Sequence, residues 1–369
     1  MHGIPIQTRR LLATLSTLAL AIAAAGCGQP LASTPSASRP TAAAEPAPSA
    51  RPSAPPSPTM APTPTPAPAP SATPTVPPSA TIAPTPGATS TPSPATDPVF
   101  VGAGDIAACG SDGAEMTARL LDQIQGTVFT LGDNAYESGT AKQFRDCYNP
   151  TWGRHKARTR PSPGNHDYVT PGAAAYYDYF GESAGPDRHG YYSFELGAWH
   201  IVSLNSEIDA GPESAQAQWL AADLAAHPAA CTLAYWHKPI FSSGSVHGND
   251  RHMRPIWNIL VHAGADVVLN GHDHIYERFA PQTVDGVADP QGMREFIVGV
   301  GGAEQYGIGE IQPNSEVRAK GLFGVLKLTL HAASYDWEFV PAKAGAFSDA
   351  GNAGCVGAAP TSPVNGFRE

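Results

Sequence analysis

Residues 99–105, VFVGAGD, and residues 127–134, TVFTLGDN, share one form: a short apolar run rich in strand-forming residues, then a glycine, then an acidic residue. A helix-like pattern at residues 114–124 separates the two stretches. A strand, a helix and a second strand predict a parallel pair, and the carboxyl ends of parallel strands meet at one edge of a sheet. Further apolar runs at residues 231–236 and 265–269 extend this alternation.

A second set of apolar runs has the character of antiparallel strands. Residues 191–204 predict a hairpin that turns at Gly197 and Ala198. The later runs of this set are at residues 295–300, 322–330 and 334–340. Further helical patterns are at residues 215–226 and 253–263. The simplest assembly is an α/β fold in which a mainly parallel sheet and an antiparallel sheet lie between helices.

Polar residues stand where the predicted strands end. In chain order they are Asp105, Asp133-Asn134, Asn165-His166-Asp167, His237 and His272-Asp273-His274. Asp, Asn and His without Cys are ligands suited to Fe, Zn or Mn. One carboxylate can bridge two ions about 3.5–4 Å apart, an arrangement that holds both oxygens of an in-line displacement at phosphorus. A single Asp at a strand end is usually a cap or turn residue, so the metal hypothesis depends on all five strand ends together.

These motifs resemble, in order, those of the calcineurin-like metallophosphoesterases. They are GD at 104–105, GDNAY at 132–136, GNHD at 164–167, WH at 236–237 and GHDH at 271–274. The tyrosine of GDNAY and the pair Glu277-Arg278 resemble the purple acid phosphatase branch. The resemblance covers residues 99–341. It implies a four-layer α/β/β/α sandwich of two mixed β-sheets flanked by helices, the metallophosphoesterase fold.

The resemblance also implies a ligand set for two metal ions. The first ion would be bound by Asp105, Asp133, Tyr136 and His274, and the second by Asp133, Asn165, His237 and His272, with Asp133 as the bridge. A Tyr136 phenolate favours Fe(III), paired with Fe(II), Zn or Mn. Related branches have a His at the position of Ala107. The alternative is that Tyr136 is a loop aromatic over a site of Zn or Mn.

The implied function is hydrolysis of small phosphate monoesters, of the acid phosphatase type, by in-line attack of a metal-bound hydroxide. His166 would be the general acid, Asp167 would orient its imidazole and His247 would contact substrate. The open alternatives are a His166 that only hydrogen-bonds substrate and a His247 that is merely exposed. For the protein as a whole, the alternative functions are a non-purple metallophosphoesterase that acts as a phosphodiesterase or nucleotidase and, more remotely, a non-catalytic surface binding lipoprotein.

The composition of the N-terminal part predicts an export signal followed by a spacer. Two arginines and the apolar run 11–25 precede Cys27, which predicts a signal peptide at residues 1–26 and export. The sequence AAGC at 24–27 resembles a lipoprotein cleavage box, so we expect Cys27 to be lipidated and to anchor the protein to a membrane; ordinary signal cleavage is the alternative. Of 38 prolines, 23 precede Val99, which predicts a disordered linker at residues 28–98.

Charge and cysteine content limit the partners. The formal net charge is −10, which excludes a nucleic-acid-binding role that depends on basic patches. Without Cys27, four cysteines remain and allow three pairings in an oxidising compartment. The preferred pairing is Cys109 with Cys147 and Cys231 with Cys355, so that Cys355 would tie down a C-terminal tail at residues 342–369. The alternative is four free thiols, and no pattern predicts the oligomeric state.

Overall fold

The computed structural model of the protein describes residues 97–357, and fifteen strands lie within them. In chain order they are β1 (Val99–Ala103), β2 (Ala107–Ala108), β3 (Thr127–Leu131), β4 (Ala135–Tyr136), β5 (Thr159–Ser162), β6 (Tyr192–Leu196), β7 (Trp199–Ser203), β8 (Cys231–Tyr235), β9 (Val267–Asn270), β10 (Tyr276–Phe279), β11 (Arg294–Val298), β12 (Ser315–Ala319), β13 (Gly324–Leu330), β14 (Ser334–Pro341) and β15 (Ala350–Gly354). The signal peptide, Cys27 and nearly all of the linker lie outside the described residues.

Helices occupy the segments between the strands. The α-helices are α1 (Gly113–Gln123), α2 (Ala141–Gln143), α3 (Asn165–Val169), α4 (Ala174–Phe180), α5 (Ala215–Ala226) and α6 (Arg254–His262). A π-helical turn spans Phe144–Tyr148, and 3-10 turns span Trp152–Arg158, Pro171–Ala173, Gly181–Ala184, Pro186–Arg188 and Arg251–Met253. Helix α5 begins where the Ser214 side chain accepts a hydrogen bond from the backbone N–H of Ala217. Among the described residues no helix is long and apolar enough to cross a membrane.

Both large sheets are mixed. The first has the strand order β15-β14-β13-β1-β3-β5, and the second has the order β12-β10-β11-β9-β8-β7-β6. The strands β1, β3 and β5 are parallel, as are β7, β8, β9 and β11. The sequence-based grouping into one parallel and one antiparallel sheet is therefore wrong. Periodicity shows which faces of a strand are buried, whereas the partner of each strand is set by how the connections cross between the layers.

The four layers follow from the alternation of side chains along the strands of the second sheet. Ile201, Leu233 and Leu269 face the first sheet and join the same core as Phe100 and Val128. The residues that alternate with them along the strands face the other way and pack with α5 and α6. On the strands these are Val202, Ala234 and Val268, together with Ile297 of β11, and on the helices they are Leu220, Ile256, Trp257 and Leu260. Helix α1 covers the first sheet with Ala114, Ala118 and Leu121. The α/β/β/α sandwich implied by the resemblance is confirmed.

The C-terminal segment belongs to this fold. Strand β15 pairs antiparallel with β14 and forms the edge of the first sheet, so the sheet continues beyond the boundary expected at residue 341. Disulfides join Cys109 to Cys147 and Cys231 to Cys355. The preferred cysteine pairing is confirmed, and the second disulfide ties the residue after β15 to the start of β8.

Candidate metal centre

The predicted strand ends meet at one edge of the sandwich. Asp105 follows β1 and Asp133 follows β3 in the first sheet, while His237 follows β8 and His272 follows β9 in the second. Because strands of both sheets point their carboxyl ends to this edge, the turns after them meet. The backbone N–H of His272 donates to Asp105 Oδ2 at 2.9 Å, which joins a turn of one sheet to a turn of the other.

Three of these residues adopt a left-handed backbone conformation. The φ angles are 59° at Asp105, 49° at Asp133 and 71° at His272. Residues with a Cβ adopt this conformation at a cost of about 1–3 kcal/mol, and such residues cluster at functional sites. Gly132 is needed for the close approach of the sheets, because a Cβ there would lie 2.5 Å from His237 Nδ1. The fold therefore accepts local strain in order to bring these side chains together.

The first cluster surrounds the phenol oxygen of Tyr136. This oxygen lies 2.8 Å from Asp105 Oδ1, 3.0 Å from Asp133 Oδ2 and 3.1 Å from His274 Nε2. His274 Nε2 lies 3.1 Å from Asp105 Oδ1. A phenol has one proton and donates it to one acceptor, whereas a cation could be bound by all four groups. These are the four residues that the resemblance implies for the first ion.

The second cluster surrounds His237 Nε2. This nitrogen lies 3.0 Å from Asn165 Oδ1, 3.1 Å from His272 Nδ1 and 3.2 Å from Asp133 Oδ2. Asp133 Oδ2 is also the atom that contacts Tyr136, so this carboxylate faces both clusters. The structure thus brings together all seven residues expected as ligands and places Asp133 between the two groups.

Hydrogen bonds to backbone carbonyls fix two of the imidazoles. Nδ1 of His237 lies 2.7 Å from the carbonyl oxygen of Leu131, and Nδ1 of His274 contacts the carbonyl oxygen of Glu304. When Nδ1–H donates in this way, the lone pair of Nε2 points into the cluster, as in histidines that bind metals. His272 faces the second cluster through Nδ1 instead.

The electrostatics of both clusters fit bound cations. Burial, reinforced by the Asp105 and Asp133 carboxylates, raises the pKa of Tyr136 well above its ordinary value. Burial lowers the pKa of His237, but the Asp133 carboxylate more than offsets this and raises that pKa to about 10. Both shifts reflect negative charge concentrated in a buried site, which metal ions would relieve by displacing the protons. The oxygen and nitrogen ligands suit Fe, Zn or Mn.

The Asp167 carboxylate has different hydrogen-bond partners from the one expected. Its buried carboxylate accepts hydrogen bonds from the backbone N–H of Gly164 and from the backbone and side-chain amide of Asn134, at 2.9–3.2 Å. His166 Nδ1 instead lies 2.7 Å from the carbonyl oxygen of Glu137. The expectation that Asp167 orients the His166 imidazole is therefore corrected. The Asp167 carboxylate accepts hydrogen bonds from the turns that contain Asn134 and Gly164, and the carbonyl group of Glu137 orients the imidazole.

Around the centre lie one residue expected to contact substrate and two residues to which the sequence assigned no role. The His247 ring stacks on His272 with 3.9 Å between centroids, and Tyr306 stacks on His274 at the same distance. Asp273, between these two histidines in the sequence, is fully buried. Tyr306 lies in a stretch without a motif. Asp273 lies within GHDH, where the flanking histidines were the stronger signal.

Known proteins resemble this chain in both sequence and fold. The profile of the family described as Calcineurin-like phosphoesterase matches residues 98–276. Purple acid phosphatase 21 of Arabidopsis thaliana is 31% identical over 237 residues, which are 57% of this chain and 51% of that protein. Purple acid phosphatase 18 of the same plant is 29% identical over 232 residues, with the same two shares. The chain spans about half the length of these curated relatives.

Two solved structures share the fold at low sequence identity. A purple acid phosphatase from yellow lupin seeds superimposes with a TM-score of 0.59 at 18% identity, covering 73% of this chain and 57% of that one. GAP50, the anchor in the inner membrane complex of Plasmodium, gives 0.52 at 15% identity, covering 69% and 88%. Together with the plant relatives, the family profile shows that residues 98–276 match the calcineurin-like phosphoesterase family and that the chain is similar to purple acid phosphatases.

Proposed function

We propose that this protein is a dinuclear-metal hydrolase of phosphate monoesters, of the acid phosphatase type, with Fe(III) and a divalent Fe, Zn or Mn ion. The observation that carries the proposal is the Tyr136 phenol oxygen within 3.1 Å of Asp105, Asp133 and His274. A buried phenol beside two carboxylates ionises only with a strong Lewis acid at hand, and Fe(III) is such an ion. When bound, the two ions would supply an activated water and neutralise the phosphoryl oxygens.

His166 is placed to protonate the leaving oxygen. Its ring lies against Tyr136 with 4.4 Å between centroids, and its Nε2 is 3.9 Å from Asp133 Oδ2. The carbonyl oxygen of Glu137 accepts a hydrogen bond from Nδ1–H at 2.7 Å, so Nε2 is the ring nitrogen left to donate a proton to the leaving oxygen. The side chain is 28% exposed, which gives a substrate access to it. Proton transfer from such a group contributes about 10²–10⁴-fold in rate.

His247 is proposed to contact the substrate beside the second cluster. It is exposed, and its ring covers His272, one of the residues of the second cluster. Positive metal ions would overcome the acidic character of the chain locally, which accounts for an anionic substrate on a protein with a formal charge of −10.

A separate proposal concerns the cellular location of the protein. The signal-like residues 1–26, a lipidated Cys27 and the proline-rich residues 28–98 would export the domain, anchor it to a membrane and hold it at a distance. Metabolic labelling with a fatty acid tests the anchor. Label on the parent that is lost in Cys27→Ser supports it, whereas unlabelled full-length protein in the medium contradicts it.

The proposed activity is tested by metal analysis, visible absorbance and hydrolysis of aryl phosphate monoesters and diesters by the purified protein. We expect two metal ions per chain including iron, a charge-transfer band, a preference for monoesters and an acidic optimum. A colourless protein with Zn or Mn and a neutral-to-alkaline optimum would instead indicate a non-purple phosphoesterase. Metal loading without hydrolysis of any ester would indicate a binding protein.

A further inference from the structure

The segment 242–248, which carries His247, is attached to the metal centre through Asp273. The Asp273 carboxylate accepts hydrogen bonds from Ser242 Oγ at 2.5 Å, from the backbone N–H of Gly248 at 3.0 Å and from that of His247 at 3.2 Å. Asp273 is fully buried, and a buried carboxylate is stable only when such donors satisfy it. Asp273 lies between His272 and His274 but turns its carboxylate to this segment.

The segment is fitted closely to this carboxylate. Gly244 lies so near that a Cβ at this position would overlap the Asp273 carboxyl group. The next anchor is Glu277, which accepts hydrogen bonds from the backbone N–H of Ser243 at 2.8 Å and from its hydroxyl group at 2.6 Å. Two buried carboxylates thus hold two consecutive serines, and the segment is fixed at its start.

This anchoring affects the position of the His247 side chain. Its side chain is exposed, and its ring is held by the stack on His272, at 3.9 Å and an interplanar angle of 22°, and by a tilted contact with Tyr306 at 5.6 Å. Its position over the second cluster therefore depends on its backbone, whose N–H is bonded to Asp273. Among residues 97–357, no other group accepts a hydrogen bond from the backbone N–H groups of His247 and Gly248.

We propose that Asp273 is a positioning residue that acts through His247. It contributes no ligand to either cluster; it holds segment 242–248 so that the His247 imidazole stands where a substrate phosphoryl group would bind. This inference rests on the proposed phosphatase function for its effect on rate, but the anchoring itself does not depend on that function.

A double-mutant cycle on the full-length, metal-loaded protein tests the inference. His247→Ala and Asp273→Ala should each lower kcat/KM for an aryl phosphate about 100-fold, with the same division between kcat and KM, because small misplacements in a site have costs of this size. The double variant should be within about threefold of His247→Ala alone, since residues that act as one unit are not additive. Additive losses would overturn the inference.

Two further measurements separate this outcome from misfolding and from a failure of the proposed function. Ser242→Ala removes one donor to Asp273 and leaves the carboxylate in place, and it should lower kcat/KM about threefold to tenfold. In Asp273→Ala, with two metal ions still bound, the amide hydrogens of His247 and Gly248 should exchange at least tenfold faster. Unchanged exchange would contradict the anchoring, whereas a parent protein that hydrolyses no phosphate ester would contradict the proposed function alone.

Discussion

The phenol oxygen of Tyr136 lies 2.8 Å from Asp105 Oδ1, although the two residues belong to different turns, 31 positions apart in the chain. Strand β2 pairs with β4 and holds Tyr136 beside the turn after β1. Tyr136 is 4% exposed and Asp105 is fully buried. The phenol oxygen also contacts Asp133 Oδ2 and His274 Nε2, and its one proton can be donated to only one of these groups, so the contacts support the proposed cation site.

Replacing the phenol tests this explanation. In Tyr136→Phe the visible charge-transfer band should disappear, because the phenolate that produces it is gone. The rate of monoester hydrolysis should fall about tenfold or more, since even groups that only support a metal ligand affect activity by about 10–100-fold. Absorbance and iron content of the purified variant check the prediction. A variant that keeps the band would place the chromophore on another residue.

The two disulfides should differ in their effect on the centre. Cys109 follows β2, the strand paired with Tyr136, whereas Cys231 and Cys355 join β8 to the C-terminal segment. The bonds span 38 and 124 residues, so removing either by paired Ser substitution should lower the free energy of unfolding by about 4–5 kcal/mol.

Only the loss of Cys109–Cys147 should also weaken the charge-transfer band, because it frees the segment beside Tyr136. The Cys231–Cys355 variant is the matched control. Urea unfolding and absorbance at equal metal content distinguish the two effects. Equal spectra in both variants would show that the first disulfide does not support the centre.

His200 should make stability depend on pH. Burial lowers the pKa of His200, but hydrogen bonds from its ring to Asp223 at 2.8 Å and to Glu195 at 2.7 Å more than offset this and raise it. A raised pKa means that the charged ring stabilises the fold below the unfolded pKa of about 6.5, and that this contribution is lost as pH rises through the folded pKa.

His200→Gln should therefore lower the free energy of unfolding by about 2 kcal/mol at pH 6, because Asp223 would lose its buried charged partner and keep the half-exposed His227 at 3.2 Å. The difference between parent and variant should shrink as the pH rises to 9. Urea unfolding of the metal-loaded protein at both pH values measures it. A difference that grows with pH would mean that the ring is neutral in the fold.

Local patterns predicted much of this protein. The apolar runs and helix patterns located β3, α5 and α6 to within about a residue, and the residues after the strands all reached one edge of the sandwich. These predictions succeeded because burial periodicity and strand-end chemistry are local properties of the sequence. The preferred cysteine pairing was confirmed as well.

Properties that depend on the path of the chain could not be predicted in this way. Strand β11 resembled an antiparallel strand but pairs parallel with β9, and its partner depends on how the layers are connected. Asp167 stands next to His166 in sequence, but its carboxylate turns to Asn134, 33 positions away. Tyr306 gave no signal, and the motif that contains Asp273 did not indicate its partners, because both roles come from segments that meet only in the fold.

The bridging position of Asp133 is the central claim, because its Oδ2 faces both clusters at 3.0 and 3.2 Å. The most direct test compares hydrolysis of an aryl phosphate monoester by the metal-loaded parent and by Asp133→Asn, with metal content measured for both. We predict a fall on the order of 10³-fold together with the loss of at least one metal ion, since both ions depend on this carboxylate. A variant that hydrolyses the ester as fast as the parent and retains both ions would contradict the account.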